Sequence, residues 1–198
     1  MLGSETKLND ILKGLNQSLL RNLNYKFQLY GSENVIKKKI ENYKRLVKVS
    51  EIINCDSYIT MEDKPSDILK SKKNSSMSLA INSVTENNSD AVLSFGNTGA
   101  LMSLSLLNIR TLKGIKRPAI ASIWPNMKGE SVVLDLGANT KLDSRYLIDN
   151  SILGASLASV LFKIDNPSIG LLNVGKEDNK GKEEIKLASD QLKELSRN

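Results

Sequence analysis

Residues 91–102 read Ala91-Val92-Leu93-Ser94-Phe95-Gly96-Asn97-Thr98-Gly99-Ala100-Leu101-Met102. A short apolar run is followed by small polar residues and two glycines, then by a segment with helical spacing to Ile109. That order predicts a buried strand over Ala91–Leu93, a tight loop through Gly96 and a helix from Thr98. The pattern recurs downstream. Ser131 to Leu136 is expected to be a strand ending at Gly137, followed by a long apolar helix from Arg145 to Phe162. Ser168 to Val174 is expected to be a strand ending at Gly175, followed by a charged helix from Glu183 to Leu195.

The first part of the chain fits the same scheme. Leu8, Ile11, Leu12, Leu15 and Leu19 predict an amphipathic helix near residues 7–21. Tyr25 to Tyr30 reads as a short strand closed by Gly31, Val35 to Tyr43 as a lysine-rich surface helix and Leu46 to Ile53 as extended. Pro65 suits the first turn of a short helix. Ser75 or Ser76 suits the cap of a helix running to about Glu86. Pro118 precedes another apolar segment, Ala119 to Ile123. Strand–loop–helix alternation of this kind predicts an α/β fold, three layers α/β/α around a mainly parallel sheet. Strands covered on both faces explain the unbroken apolar runs Val132-Val133-Leu134 and Ile169 to Leu172.

Composition narrows the chemistry. The 198 residues contain no histidine, so Ser-His-Asp triads, Cys-His dyads and histidine-ligated metals are excluded. A single cysteine, Cys55, rules out an internal disulfide framework or a thiolate zinc site. The remaining tools are carboxylates, lysines, hydroxyls, amides and backbone groups. The formal charge of +6 suits an acidic partner, although the lysines read as scattered rather than striped. No basic patch interleaved with aromatics points to nucleic acid. Met1 to Asp10 lacks the apolar core of a signal peptide and no apolar run is long enough to span a bilayer, so a cytoplasmic protein is expected. No G-x-x-x-x-G-K-[ST] or G-x-G-x-x-G is present, so no nucleotide cofactor is expected.

In an open α/β sheet, ligands bind beyond the carboxyl ends of the strands. The loops there are Gly96-Asn97-Thr98-Gly99, Gly137-Ala138-Asn139-Thr140 and Asn173-Val174-Gly175. A fourth candidate, Lys72-Lys73-Asn74-Ser75-Ser76, sets cations ahead of a serine-capped helix start. Helix N-termini present free N–H groups and the positive end of a dipole, which favours an anion. Each residue has a plainer reading as well: turn glycines, helix caps, turn-forming asparagines and solvated lysines. Asp135 at a strand end suits a general base, a magnesium ligand or a turn.

Taken together, Lys73-Asn74-Ser75-Ser76-Met77 and Ser94 to Met102 resemble the bacterial acyl-ACP:phosphate acyltransferase (PlsX) family. So do Arg117-Pro118-Ala119, Lys128-Gly129, Leu134-Asp135-Leu136-Gly137-Ala138-Asn139, and Gly170 to Gly175 with Lys180-Gly181, in the family's order. The resemblance implies a fold similar to the phosphotransacetylase and isocitrate dehydrogenase-like group. It implies transfer of a fatty acyl group from acyl carrier protein to inorganic phosphate, without a cofactor, in a homodimer that associates peripherally with the membrane. The motifs locate the pocket; on chemical grounds Asn97, Asn139 and Lys73 are expected to be catalytic, and Ser75, Ser76, Gly96, Thr98, Gly99, Arg117 and Gly137 to surround the phosphate. The resemblance also implies that residues 1–198 form a single incomplete α/β domain, truncated at both ends. The family's opening strand would be absent, Met1 to Ser4 a remnant of the loop after it, and the C-terminal part missing. Phe95 stands where the family has a small residue. The alternatives are a phosphate acetyl- or butyryltransferase using coenzyme A, and an inactive fragment that only binds a partner.

Overall fold

The structure, a computed structural model, describes residues 6–21, 24–64, 67–68, 73–139, 141–175 and 180–195. The chain divides into two compact units, Met1–Arg110 and Thr111–Asn198. Both mix helix and strand, so the expected α/β class holds.

In the first unit, α1 (Leu8–Arg21) leads to β1 (Phe27–Gly31). Two short helices follow, α2 (Glu33–Ile40) and α3 (Lys44–Lys48), and then β2 (Ser50–Asn54). β1 and β2 pair in parallel, Phe27 opposite Ser50 and Gly31 opposite Asn54. The expected α1 stripe is real: Leu12 and Leu19 pack with Leu29, Ile36, Ile40 and Leu46 in one apolar cluster. Leu46 departs from expectation. The sequence pattern predicts an extended conformation there, but the residue lies in α3, fully buried. Burial in this cluster outweighs the weak preference of an isolated five-residue helix for coil.

α4 (Ser76–Thr85) and α5 (Thr98–Asn108) complete the unit. Both start where the sequence places them, behind Ser75 and Asn97. α4 packs on β1 and on α5. Met77 and Ile81 meet Ala100, Leu104, Ile59 and Ile68 in a second cluster. The short helix expected at Pro65 lies outside the described residues, as does Lys72.

In the second unit, β3 (Ser122–Asn126) and β4 (Gly129–Val133) form an antiparallel hairpin. α6 (Ser144–Phe162) packs on β4 and on α7 (Glu183–Leu195). Among the described residues the one parallel ladder is therefore β1 with β2, beside a single parallel bridge between Ser57 and Ser75. Strand β4 also ends at Val133, short of the expected Leu136.

Two expected strands are not strands. Ala91–Leu93 and Ser168–Val174 carry strand-like sequence but pair with nothing among the described residues. A strand is defined by its ladder, and apolar side chains there need neighbours on both flanks. Without them Leu93 stays 68% exposed and Leu172 93% exposed. Among the described residues no helix is long and apolar enough to cross a membrane.

Leu46→Ala should destabilise the first unit by about 2–5 kcal/mol, because it empties a buried site. Val47→Ala, on the exposed side of the same turn, should change stability by under about 0.5 kcal/mol. Urea unfolding of the two variants compares them directly.

Candidate functional site

In the first unit, the segment after β2 governs the site. It runs past the starts of α4 and α5 and is bonded to both. The Ser76 N–H donates to the Ser57 carbonyl at 3.0 Å, and a β-bridge joins Ser57 to Ser75. The Asn97 amide nitrogen donates to the carbonyls of Thr60 (3.1 Å), Met61 (3.3 Å) and Asp63 (3.1 Å). The Asp63 carboxylate in turn accepts from the Thr60 N–H at 2.7 Å. Two helix N-termini are thereby tied to one loop.

Ser75 caps α4, as the sequence nominated, and Asn97, expected as a site or turn residue, caps α5. Ser75, fully buried, accepts from the Ser78 N–H at 3.3 Å, and the two hydroxyls lie 2.9 Å apart. Asn97, also buried, accepts from the Ala100 N–H at 2.9 Å. Both ends of its amide are thus in use: the oxygen caps α5 and the nitrogen holds the loop. Ser76 is buried, and the Gly96 N–H donates to the Ser94 hydroxyl at 3.2 Å. Thr98 and Gly99 are exposed in the first turn of α5, and their N–H groups bond to nothing among the described residues. These are the donors that an anion would meet. Lys73 is exposed just ahead of the α4 cap.

The second unit contains its own loop, after β4. Its centre is Asp135, whose carboxylate accepts from five donors: Ile120 N (2.9 Å), Ala138 N (3.1 Å), Asn139 N (2.9 Å), Asn139 Nδ2 (3.1 Å) and the Tyr146 hydroxyl (2.7 Å). A carboxylate has about four lone-pair sites, so its capacity is filled. Burial alone would push the Asp135 carboxyl up. The donors from Ile120, Tyr146, Asn139 and Ala138 outweigh it and hold the pKa below its ordinary 3.8. Of the readings that the sequence left open for Asp135, this geometry matches the turn. A filled and acidic carboxylate is a poor proton acceptor near neutral pH.

Asn139 is bound up with the same network. Its amide nitrogen lies 2.6 Å from the Tyr146 hydroxyl, 3.0 Å from the Pro118 carbonyl and 3.1 Å from Asp135 Oδ2. With only two hydrogens it serves three acceptors by sharing. Gly137 takes φ +88°, a left-handed conformation that favours glycine and lets the loop turn back on Asp135. Arg117 is exposed, next to Pro118.

Sequence reasoning missed two residues. Tyr146 lies in the apolar run of α6, yet it is buried and its hydroxyl completes the Asp135 cluster. Burial, then the Asp135 charge, pushes its pKa up to about 12. Asp143 caps α6 by accepting from the Tyr146 N–H at 2.7 Å. An acidic residue three positions ahead of a tyrosine, at the start of an apolar helix, was the available signal. The remaining groups fall in two sets: Lys73, Ser75, Ser76, Gly96, Asn97, Thr98 and Gly99 in the first unit, and Arg117, Gly137 and Asn139 in the second.

Comparison with known proteins adds an independent line. A family described as fatty acid synthesis protein matches residues 1–198. A phosphate acyltransferase of Afipia carboxidovorans is 42% identical over 195 residues, 98% of this chain and 55% of that protein. One from Rhodopseudomonas palustris strain HaA2 is 43% identical over 195 residues, again 98% of this chain and 55% of the relative. One from Sinorhizobium fredii is 40% identical over 197 residues, 99% of this chain and 57% of the relative. The chain thus spans about half the length of the curated relatives it matches.

Two outcomes follow from the bonding. Aspartate is ordinarily as good a cap as asparagine, but here it cannot donate. Asn97→Asp should therefore cost as much as Asn97→Ala, about 2–3 kcal/mol in urea unfolding, since a charge would face three carbonyl oxygens. Tyr146→Phe should cost about 1–3 kcal/mol between pH 5 and 9. The raised Tyr146 pKa stabilises the fold fully below its ordinary 10.0, and that contribution is lost as pH rises toward about 12. The gap between Tyr146→Phe and the parent chain should therefore close in that window. The lowered Asp135 pKa works in the opposite direction. Its contribution is present above pH 3.8 and lost as pH falls through the folded value, so Asp135→Asn should flatten the acid limb of a melting-temperature profile.

Proposed function

The chain belongs to the fatty acid synthesis protein family, and from that premise we propose that it works in acyl transfer from acyl carrier protein to inorganic phosphate. A phosphate oxygen attacks the thioester carbonyl carbon, the carbon–sulfur bond breaks, and the carrier thiolate leaves and takes up a proton. The products are acyl phosphate, a precursor for phospholipid synthesis, and the free carrier thiol.

One observation carries the reading. The starts of α4 and α5 are tied to one loop, and Thr98 and Gly99 keep uncommitted N–H groups at an exposed helix start. Phosphate is already an anion and a nucleophile at neutral pH. It needs placement rather than a general base, and a chain without histidine is suited to that. Backbone N–H groups supply the placement, and they can also face the oxyanion of the tetrahedral intermediate.

In this proposal Asn97 and Asn139 are positioning residues, because their amide nitrogens already hold the two loops. Thr98, Gly99 and Gly96 contribute backbone around the phosphate. Ser75 and Ser76 fix the start of α4, Lys73 and Arg117 neutralise charge, and Gly137 permits the turn. The reading includes no cofactor. The resemblance extends it to a homodimer in the cytoplasm that associates peripherally with the membrane.

The direct test supplies palmitoyl-carrier protein or acetyl-CoA together with phosphate, and traps acyl phosphate with hydroxylamine. Preference for the carrier thioester is expected. Preference for acetyl-CoA, or binding without turnover, overturns the proposal. Lys73 is exposed and bonds to nothing among the described residues. Lys73→Ala should therefore raise the KM for phosphate about tenfold, the weight of one charge-assisted contact, and leave the unfolding curve in place.

A further inference from the structure

The second unit contains a groove of about 640 Å³, within the range of small-molecule sites. Its floor is α6. Its sides are β4 and the run 166–172, with Ile185 of α7.

The floor is long and slim. Leu147, Ser151, Gly154, Ala158 and Phe162 recur at three- and four-residue spacing, so they share one face of α6, and all line the groove. The middle of that face is small, and Leu134 comes close to it: a Cβ at Gly154 would stand 3.2 Å from Leu134 Cδ1. From Asn150 to Phe162 the helix rises about 18 Å. The hydrocarbon core of a bilayer is about 30 Å thick and two chains deep, so one fatty chain takes about 15 Å. The floor therefore has the length and width of a single fatty chain.

Hydrogen-bond accounting defines the polar end. Tyr146 donates its one hydroxyl hydrogen to Asp135 Oδ2 at 2.7 Å. Its oxygen can then only accept, and it does so from the Asn139 amide at 2.6 Å and from Asn150. The Asn150 amide must therefore turn its nitrogen to Tyr146 and its oxygen away. The neighbouring Ser151 hydroxyl is committed to the Leu147 carbonyl at 2.8 Å. Asn150 is only 7% exposed, and among the described residues no donor reaches its Oδ1. A buried acceptor left without a donor costs about 1–3 kcal/mol. Asn150 lines the groove, so the partner that suits it is a slender apolar chain with an N–H at its head.

We propose that this groove binds a fatty acyl thioester of pantetheine type, the terminal part of an acylated carrier arm. Such an arm has an amide two carbons from the sulfur. Its N–H donates to Asn150 Oδ1, and the acyl chain lies along Ser151, Gly154, Ala155 and Ala158 toward Phe162. Asn150 is then a specificity residue that holds the arm. The choice of a thioester rests on the acyl-transfer reading, whereas the N–H donor and the slender chain are demanded by the groove itself.

Two probes test this by calorimetric titration. One is S-dodecanoyl-N-acetylcysteamine, which has the amide. The other is the S-dodecanoyl thioester of 2-acetoxyethanethiol, in which an ester oxygen replaces the N–H. The parent chain should bind the amide probe about tenfold more tightly, the weight of one hydrogen bond. Asn150→Ala should bind both equally. Ala155→Trp should weaken the dodecanoyl amide probe at least tenfold and leave its S-butanoyl counterpart as in the parent. Equal binding of the two probes to the parent, the result expected if water satisfies Asn150, overturns the proposal and requires no substitution to read. A preference that survives Asn150→Ala, or unchanged dodecanoyl binding in Ala155→Trp, overturns it as well. Amide preference without acyl phosphate formation upholds the groove and overturns the acyl-transfer reading. Acyl phosphate formation without amide preference does the reverse.

Discussion

The first unit depends on one side-chain amide. Asn97 accepts at the start of α5 and donates to three carbonyls of the loop after β2. Among the residue types that commonly cap helices, only asparagine offers an acceptor and two donors in one group. Aspartate and serine can cap a helix, but neither offers an amide's pair of donors on the far side. Because the loop also accepts from Ser76, fixing Asn97 ties the start of α5 to the loop that already holds the start of α4. The two exposed N–H groups at Thr98 and Gly99 owe their fixed direction to this bonding.

The second unit solves a similar problem with the opposite group. Asp135 is a carboxylate surrounded by donors, and it folds the loop from Leu136 to Asn139 around itself. Tyr146 reaches it from α6, so the loop and the long helix share one anchor. An amide organises one loop and a carboxylate the other. In both, the side chain that looks chemically active in the sequence is consumed in holding backbone. The proposed acyl transfer fits this economy, because a phosphate acceptor needs oriented N–H groups more than it needs a proton shuttle.

The sheets show what happens when pairing is incomplete. β1 and β2 hold together because α1, α2 and α3 cover them with a continuous apolar cluster. The run Ala91–Leu93 has the composition of a strand and sits across a groove from β1, yet it forms no ladder. Side-chain pattern brings such a run to the sheet, but hydrogen bonding needs a neighbour about 4.8 Å away. The same holds for Ser168–Val174, whose Leu172 and Val174 remain exposed.

Much of this protein was legible in its residues. Leucine spacing set α1, Ser75 and Thr98 marked two helix starts, and Glu183 to Leu195 emerged as a helix with the expected bounds. Ordered motifs gave the family, because a succession of short loops in register carries more information than any one of them. These features are local: a cap or a helical stripe is complete within a few residues. Tertiary structure alone decided the rest. Whether Leu46 is helix or strand depends on a cluster built from residues far away in the chain. Whether Ala91–Leu93 is a strand depends on a neighbour that no local pattern can supply. Whether Asp135 is a base or an anchor depends on donors from Ile120 and Tyr146, brought to it only by folding. Local sequence fixes which conformations are cheap, whereas hydrogen-bond partners and burial are set by the whole chain.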